Sequence, residues 1–334
     1  VKRVIFGILM IGIAVQISAQ TQSSIAQERE RFGQMPTSRG SVIDTAGMDA
    51  RIVMSLAWAS FEQGDLASAL QYAERIRQEL GQHSEAEYLI GLIYMKEGLP
   101  LLAERSLKNA LLYAYTAEER ADYGLALANL YYRMQDYPAM EQQLEDVIFG
   151  LPYDDEAIAF RQTLTGQMRQ ARQIMLKEGI DRVAELYRWQ GLHHDIAVEM
   201  LALYAYNHDT YVGYGRAVEL FTYSTILKVG VLVNQLMVYD PSYRFSTLED
   251  LLVQAKRYPS MQIYIDNVDF YRTIFFLAAS LYAYEKSDVS KILWNGLRLQ
   301  SSTSPWIRRA ALRFRQPMIE DFSAEFDGIF KAQF

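Results

Sequence analysis

Three stretches carry one pattern: LAWASFEQGDLASA (residues 56–69), IGLIYMKEGLPLLA (90–103) and LANLYYRMQDYPAM (127–140). Each opens on a large apolar residue followed by a small one, Leu56-Ala57, Ile90-Gly91 and Leu127-Ala128. At a fixed offset each then turns, at Gly64-Asp65-Leu66, Gly98-Leu99-Pro100 and Gln135-Asp136-Tyr137. The first two copies stand 34 residues apart, Gly64 to Gly98 and Ala69 to Ala103, and the third is displaced by 37, an insertion of three residues near Thr116–Arg120. Two antiparallel helices approach closely only where one offers a small residue to the other's large one. Ala57, Gly91 and Ala128 supply it in the first helices. Ala69, Ala103 and Ala110 supply it in the second, with Leu107 and Leu144 as bulky neighbours. Gly64-Asp65 and Gly98 suit a turn that ends one helix and caps the next, and Pro152 stops the third hairpin.

The period and these landmarks make residues 50–152 resemble three consecutive tetratricopeptide (TPR) units. Met140 replaces a usual alanine, and Ser60 a common aromatic. The resemblance implies an all-α fold, an α-solenoid of stacked antiparallel helix hairpins, and a role in holding other proteins or peptides. It also implies that the first helices line a concave groove. Its positions are Arg51, Met54, Trp58 and Phe61 in the first unit, Glu85, Tyr88, Leu92 and Met95 in the second, and Asp122, Leu125, Asn129 and Tyr132 in the third. Such a lining, apolar and aromatic with adaptable methionines, suits a helix or an apolar peptide. It departs from the TPR type that clamps a terminal carboxylate, because Trp58 and Leu92 stand where asparagine is required and only Asn129 conforms. The competing expectation is that Trp58 and Phe61 are packed by the chain itself.

Working outward, Val1-Lys2-Arg3, the apolar run Val4–Val15 and the small residues to Ala19 read as a signal peptide over residues 1–19. The apolar run is short of the ~20 residues that span a bilayer. The chain has no cysteine, hence no lipid-anchor site and no disulfides, so burial must hold the fold. The formal charge of −7 becomes more negative once Lys2 and Arg3 leave, which gives no general attraction to nucleic acid or anionic lipid. Leu220–Tyr239 is interrupted by Lys228, Asn234 and Gln235, and Tyr271–Tyr284 is too short to span, so no stable membrane span is expected after cleavage. The expected location is the periplasm. Residues 20–49, rich in Gln, Ser, Thr and Gly, read as a polar linker.

Residues 153–334 lose the strict period but keep the marks of helical hairpins continuous with the repeats. Glu156–Glu178 places Ile158, Leu164, Met168, Ala171 and Met175 on one face and is set to cap the third unit. Ala279–Tyr284 with Ser287–Val289 imitates one more unit, with Ile292 where the repeat wants alanine. Arg308, Arg309, Arg313 and Arg315 precede an apolar stripe of Ile319, Phe322, Phe326, Ile329 and Phe330. This reads as a C-terminal hairpin whose charges compensate each other, or as a partner-binding helix. Most of the 23 tyrosines read as core residues with hydroxyls reaching water.

Catalytic patterns are missing: no GxxxxGK, no GxSxG, no HExxH. His193-His194-Asp195 with Glu199 is the one cluster of ligand-type residues, and its spacing suits a turn and a helix start better than a metal. The sequence therefore predicts a non-enzymatic scaffold without cofactor or metal, binding a protein partner in an envelope assembly such as a motor or secretion machine. The alternative is a transporter- or solute-associated TPR protein with a ligand pocket between the repeats and the C-terminal helices. If Glu156–Glu178 is a cap, a fragment ending near Pro152 is expected to be less soluble and to unfold less cooperatively than the longer chain, as urea titration of both would show.

Overall fold

The structure, a computed structural model, describes Gln27 and residues 48–150, 155–187, 195–208, 210–300 and 303–333. The signal peptide and nearly all of the linker expected from the sequence lie outside these residues. Among the described residues the fold is all-α, sixteen helices and no strand. The chain divides into two compact units, one ending at Met140 and one beginning at Glu141.

In the first unit α1 (Ala50–Glu62), α2 (Leu66–Leu80), α3 (Ser84–Lys96), α4 (Pro100–Tyr113) and α5 (Ala117–Arg133) each pack on the next in order. This is the stacking of a helical solenoid. α1 also touches α3, and α3 touches α5, so the first helices of successive hairpins share one side. The helix starts are written locally. Asp49 accepts from the Arg51 amide, Asp65 from the Ser68 amide, and Thr116 with Glu119 forms a reciprocal capping box. Pro100 begins α4, where its missing N–H costs nothing.

One turn recurs. After α1 the Asp65 amide donates to the Ser60 carbonyl at 2.9 Å and the Gly64 amide to Phe61 at 3.1 Å. The same pair of bonds follows α3, from Leu99 to Tyr94 and Gly98 to Met95, and follows α5, from Asp136 to Tyr131 and Gln135 to Tyr132. The residue at the bend is left-handed each time, with φ of 81° at Gly64, 71° at Gly98 and 61° at Gln135. This is the Schellman closure of a helix end.

The second unit is larger and less regular. It holds most of α6 (Tyr137–Phe149), then α7 (Asp155–Glu178), α8 (Ile180–Leu186), α9 (Asp195–Asn207), α10 (Tyr211–Tyr239), α11 (Leu248–Ala255), α12 (Pro259–Asn267), α13 (Phe270–Ala283), α14 (Ser287–Arg298), α15 (Pro305–Arg315) and α16 (Ser323–Gln333). α10 is its spine, touching α7, α8, α9, α11 and α13. By length and composition α10 could cross a membrane, but 72% of its most apolar window is buried inside the fold. α7 buries Leu164, Met168, Ala171 and Met175, while Ile158 of the same expected stripe is exposed.

The three-part turn returns between α13 and α14, where Lys286 donates to Leu281 and Glu285 to Tyr282, with φ of 61° at Glu285. Counting from that left-handed residue corrects one expectation. The alanine position is taken by Ser290, fully buried like Ala69, Ala103 and Met140 at the same offset, whereas Ile292 is 70% exposed. Its first-helix counterpart is Ala278, buried like Ala57 and Ala128.

At the C-terminal end, α15 and α16 form a charge-compensated pair. Arg309 binds Glu320 and Glu325, and Arg313 binds Glu320. Phe322 lies 4.8 Å from Phe276 and 4.9 Å from Tyr206 between ring centres, and Phe326 and Phe330 are buried too. Ile319 is exposed.

Glu285→Gly should stabilise the protein by about 1 kcal/mol by relieving a left-handed non-glycine residue. Ser290→Ala should add about 1 kcal/mol, since the Ser290 hydroxyl is buried with no hydrogen-bond partner among the described residues. Chemical denaturation of each variant against the parent measures both.

Candidate functional site

The twelve groove positions read from the sequence divide by depth. Met54, Leu92, Met95, Leu125 and Asn129 are interior, and Asn129 accepts from Arg133 Nε at 2.8 Å. Trp58, Phe61, Glu85, Tyr88 and Tyr132 are half-buried, and Arg51 and Asp122 are exposed. The half-buried rings of α1 and α3 are in contact, and Tyr88 reaches a buried tyrosine of α5, Tyr123. Trp58 meets Phe61 edge-on at 5.8 Å and Tyr88 at 6.1 Å, and Tyr88 lies 4.4 Å from Tyr123. Trp58 Nε1 donates to Glu85 at 2.8 Å, and Lys96 Nζ stands 4.0 Å over the Phe61 ring. Trp58 and Phe61 rest on the core of α1–α3, and Tyr88 rests on Ala110 and Ala114. Burial, then the Asp122 charge, raises the Tyr88 hydroxyl above its ordinary range, and burial pushes Tyr123 up to about 12. Both rings stay neutral, Tyr88 as half-buried amphipathic surface and Tyr123 as core.

A second feature lies wholly in the second unit. Lys228, midway along the apolar α10, is 1% exposed. Its Nζ donates to Glu199 Oε1 at 2.6 Å, to the Val268 carbonyl at 2.7 Å and to Thr273 at 2.7 Å, and lies 3.2 Å from Asp195. Thr273 in turn donates to Glu199. Arg272 binds Glu199 at 2.8 Å and Asp269 at 3.1 Å, and Ser224 donates to Asp195 at 2.7 Å. Asp195 and Glu199, one turn apart on α9, thus share one buried lysine on α10. Burial drives Glu199 upward, but Lys228 and Arg272 overrule it and hold its pKa near about 2. Asp195 has weaker pairing, and burial, opposed by Lys228 and reinforced by Glu199, pushes it up to about 6. This network opens on a cleft of about 620 Å³ whose walls include Tyr264, Trp306, Ile196 and Ile329.

The cluster read from the sequence as a turn with ligand-type residues is therefore half accounted for. Asp195 and Glu199 form ion pairs, and His193 and His194 lie outside the described residues. No group of three His, Asp or Glu side chains is placed to hold a metal among the described residues. Lys228 and Arg272 were not singled out as partners of that cluster. The available signal was a lone lysine and two lone acids in consecutive apolar helices, which must meet or remain unpaired.

No family model matches the chain. A protein of Borreliella burgdorferi (strain ATCC 35210 / DSM 4680 / CIP 102532 / B31), described as "Uncharacterized protein", is 22% identical over 257 residues. The match covers 69% of this chain and 75% of the relative. That length exceeds what residues 50–152 can supply, so the likeness extends beyond the repeats.

The raised Asp195 pKa fixes a sign. Its carboxyl holds a proton more tightly folded than unfolded, so its contribution to stability is full below pH ~4 and is lost as pH rises through about 6. The difference in unfolding free energy between parent and Asp195→Asn should therefore change by on the order of 1–3 kcal/mol between pH 4 and 7, the parent losing ground as pH rises. Urea melts of both proteins across that range measure it.

Proposed function

We propose that this protein is a non-enzymatic, TPR-type scaffold that binds a partner helix or apolar peptide along the first helices of its N-terminal unit. The observation that carries this reading is the half-buried aromatic row Trp58, Phe61 and Tyr88 on the side shared by α1 and α3, backed by the buried Tyr123 of α5. Large, stiff rings with one face anchored and one edge free bury much area at little cost in side-chain entropy. The exposed Arg51 and Asp122 supply a polar rim. Trp58 and Phe61 are backed by a core that includes Met54, Leu70 and Leu89, and Tyr88 by Ala110, Ala114 and Tyr123. With the leader-like start of the chain, the reading places the protein in the cell envelope, most simply the periplasm, as a structural part of a larger assembly.

A second reading, a solute-binding role, is favoured by the cleft of the C-terminal unit, which includes Tyr264.

A photoreactive amino acid in place of Asp122 should give a defined adduct in the native envelope, and one in place of Leu112 on α4, 74% exposed, should not. Trp58→Ala combined with Tyr88→Ala should remove the Asp122 adduct while the helical circular dichroism is retained. Equal adducts from both positions count against the groove, and loss of helical signal in the double variant assigns the two rings to the core.

A further inference from the structure

We propose that the cleft of the C-terminal unit binds an organic ammonium ion, with Asp195 and the Tyr264 hydroxyl receiving the charged head and Ile196, Ile329 and Trp306 receiving an apolar body. About 620 Å³ falls within the span of small-molecule sites, larger than any single water or metal ion requires.

Charge balance gives the sign of the ligand. The network holds three carboxylates, Asp195, Glu199 and Asp269, against two cations, Lys228 and Arg272. Glu325, also on the cleft wall, is matched by Arg309. One negative charge is thus in excess among the described residues, and it falls on Asp195. Glu199 takes the short bonds from both cations, and Asp269 is paired to Arg272 and accepts from Trp306 Nε1. A buried group with unmet charge draws in a counter-ion or a proton.

Hydrogen-bonding capacity gives the same direction. The Tyr264 hydroxyl is buried on the cleft wall and has no partner among the described residues, while the Asp195 charge acts on it. It offers a lone pair to an N–H donor beside a carboxylate. Lys228, by contrast, has its ammonium protons committed to Glu199, Val268 and Thr273, and Arg272 turns its terminal nitrogens to Glu199 and Asp269. Of these two side chains only Arg272 Nε is a donor without a partner among the described residues, so the site offers an anion a single cationic N–H. A bare divalent ion would need three or more oxygen ligands that are not already bound to basic side chains. An ammonium head needs only the two acceptors present.

The experiment is calorimetric titration of the full chain at pH 7.5 with n-hexylammonium, n-hexanol, hexanoate and calcium chloride. The result expected is saturable 1:1 binding of n-hexylammonium, with the alcohol and the carboxylate each weaker by about tenfold or more. Tyr264→Phe should weaken the amine severalfold, and Asp195→Asn should erase the preference for amine over alcohol, both proteins keeping the parent's circular dichroism. The proposal is overturned if no probe binds, if hexanoate or calcium binds as tightly as the amine, or if both variants bind the amine like the parent.

Discussion

The hairpin of α3 and α4 is packed so closely at Gly91 that an added Cβ would stand 2.8 Å from the Leu107 side chain. The spacing of α3 and α4, and by repetition of the other hairpins, depends on such small-against-large contacts. A hairpin closed this tightly can turn in only a few ways, and the same left-handed turn is used at Gly64, Gly98, Gln135 and Glu285. With the turn and the crossing both fixed, the first helices of α1, α3 and α5 fall on one side. Trp58, Tyr88 and Tyr123 then meet because of the backbone, with no bond of their own needed to assemble them.

The C-terminal unit is ruled by a different constraint. A lysine buried in the centre of α10 can exist only if its charge is answered, and α9 and α13 provide the answer. Breaking one member of such a network leaves an uncompensated buried charge and costs about 3–5 kcal/mol, although an apolar replacement of the whole set would be no less stable. What the network contributes is alignment. Its bonds fix the rotation and axial position of α10 against two neighbours whose apolar faces alone would tolerate sliding.

The hairpins, their turns and the helix of residues 155–178 were legible because each is written in local spacing. The small residues, the bend residue and the cap lie within one or two turns of each other. Ile292 was assigned the alanine position because Ser287-Asp288 was read as the turn, whereas the left-handed bend is two residues earlier, at a glutamate and not a glycine. The twelve positions expected to line a groove lie on α1, α3 and α5, but their depths were not legible. Met54, Leu92, Met95, Leu125 and Asn129 share the face with Trp58 and Tyr88 but sit below it, and periodicity carries no information about how far a neighbouring helix overlaps. The ion network was the least legible, since Lys228 looks like a flaw in an apolar run until α9 and α13 are brought beside it.

That network also sets the order in which the chain can fold. The bonds of the N-terminal turns close over a few residues, so each hairpin can form as soon as it exists. Lys228 and Glu199 are 29 residues apart, Lys228 and Thr273 are 45, and Glu199 and Arg272 are 73. Loops of that size close slowly, and no pairwise subset satisfies every charge. Contact order alone therefore expects the ion network of the second unit to close later than the turns of the first, with Lys228 meeting Glu199 before Arg272 and Thr273 complete the set.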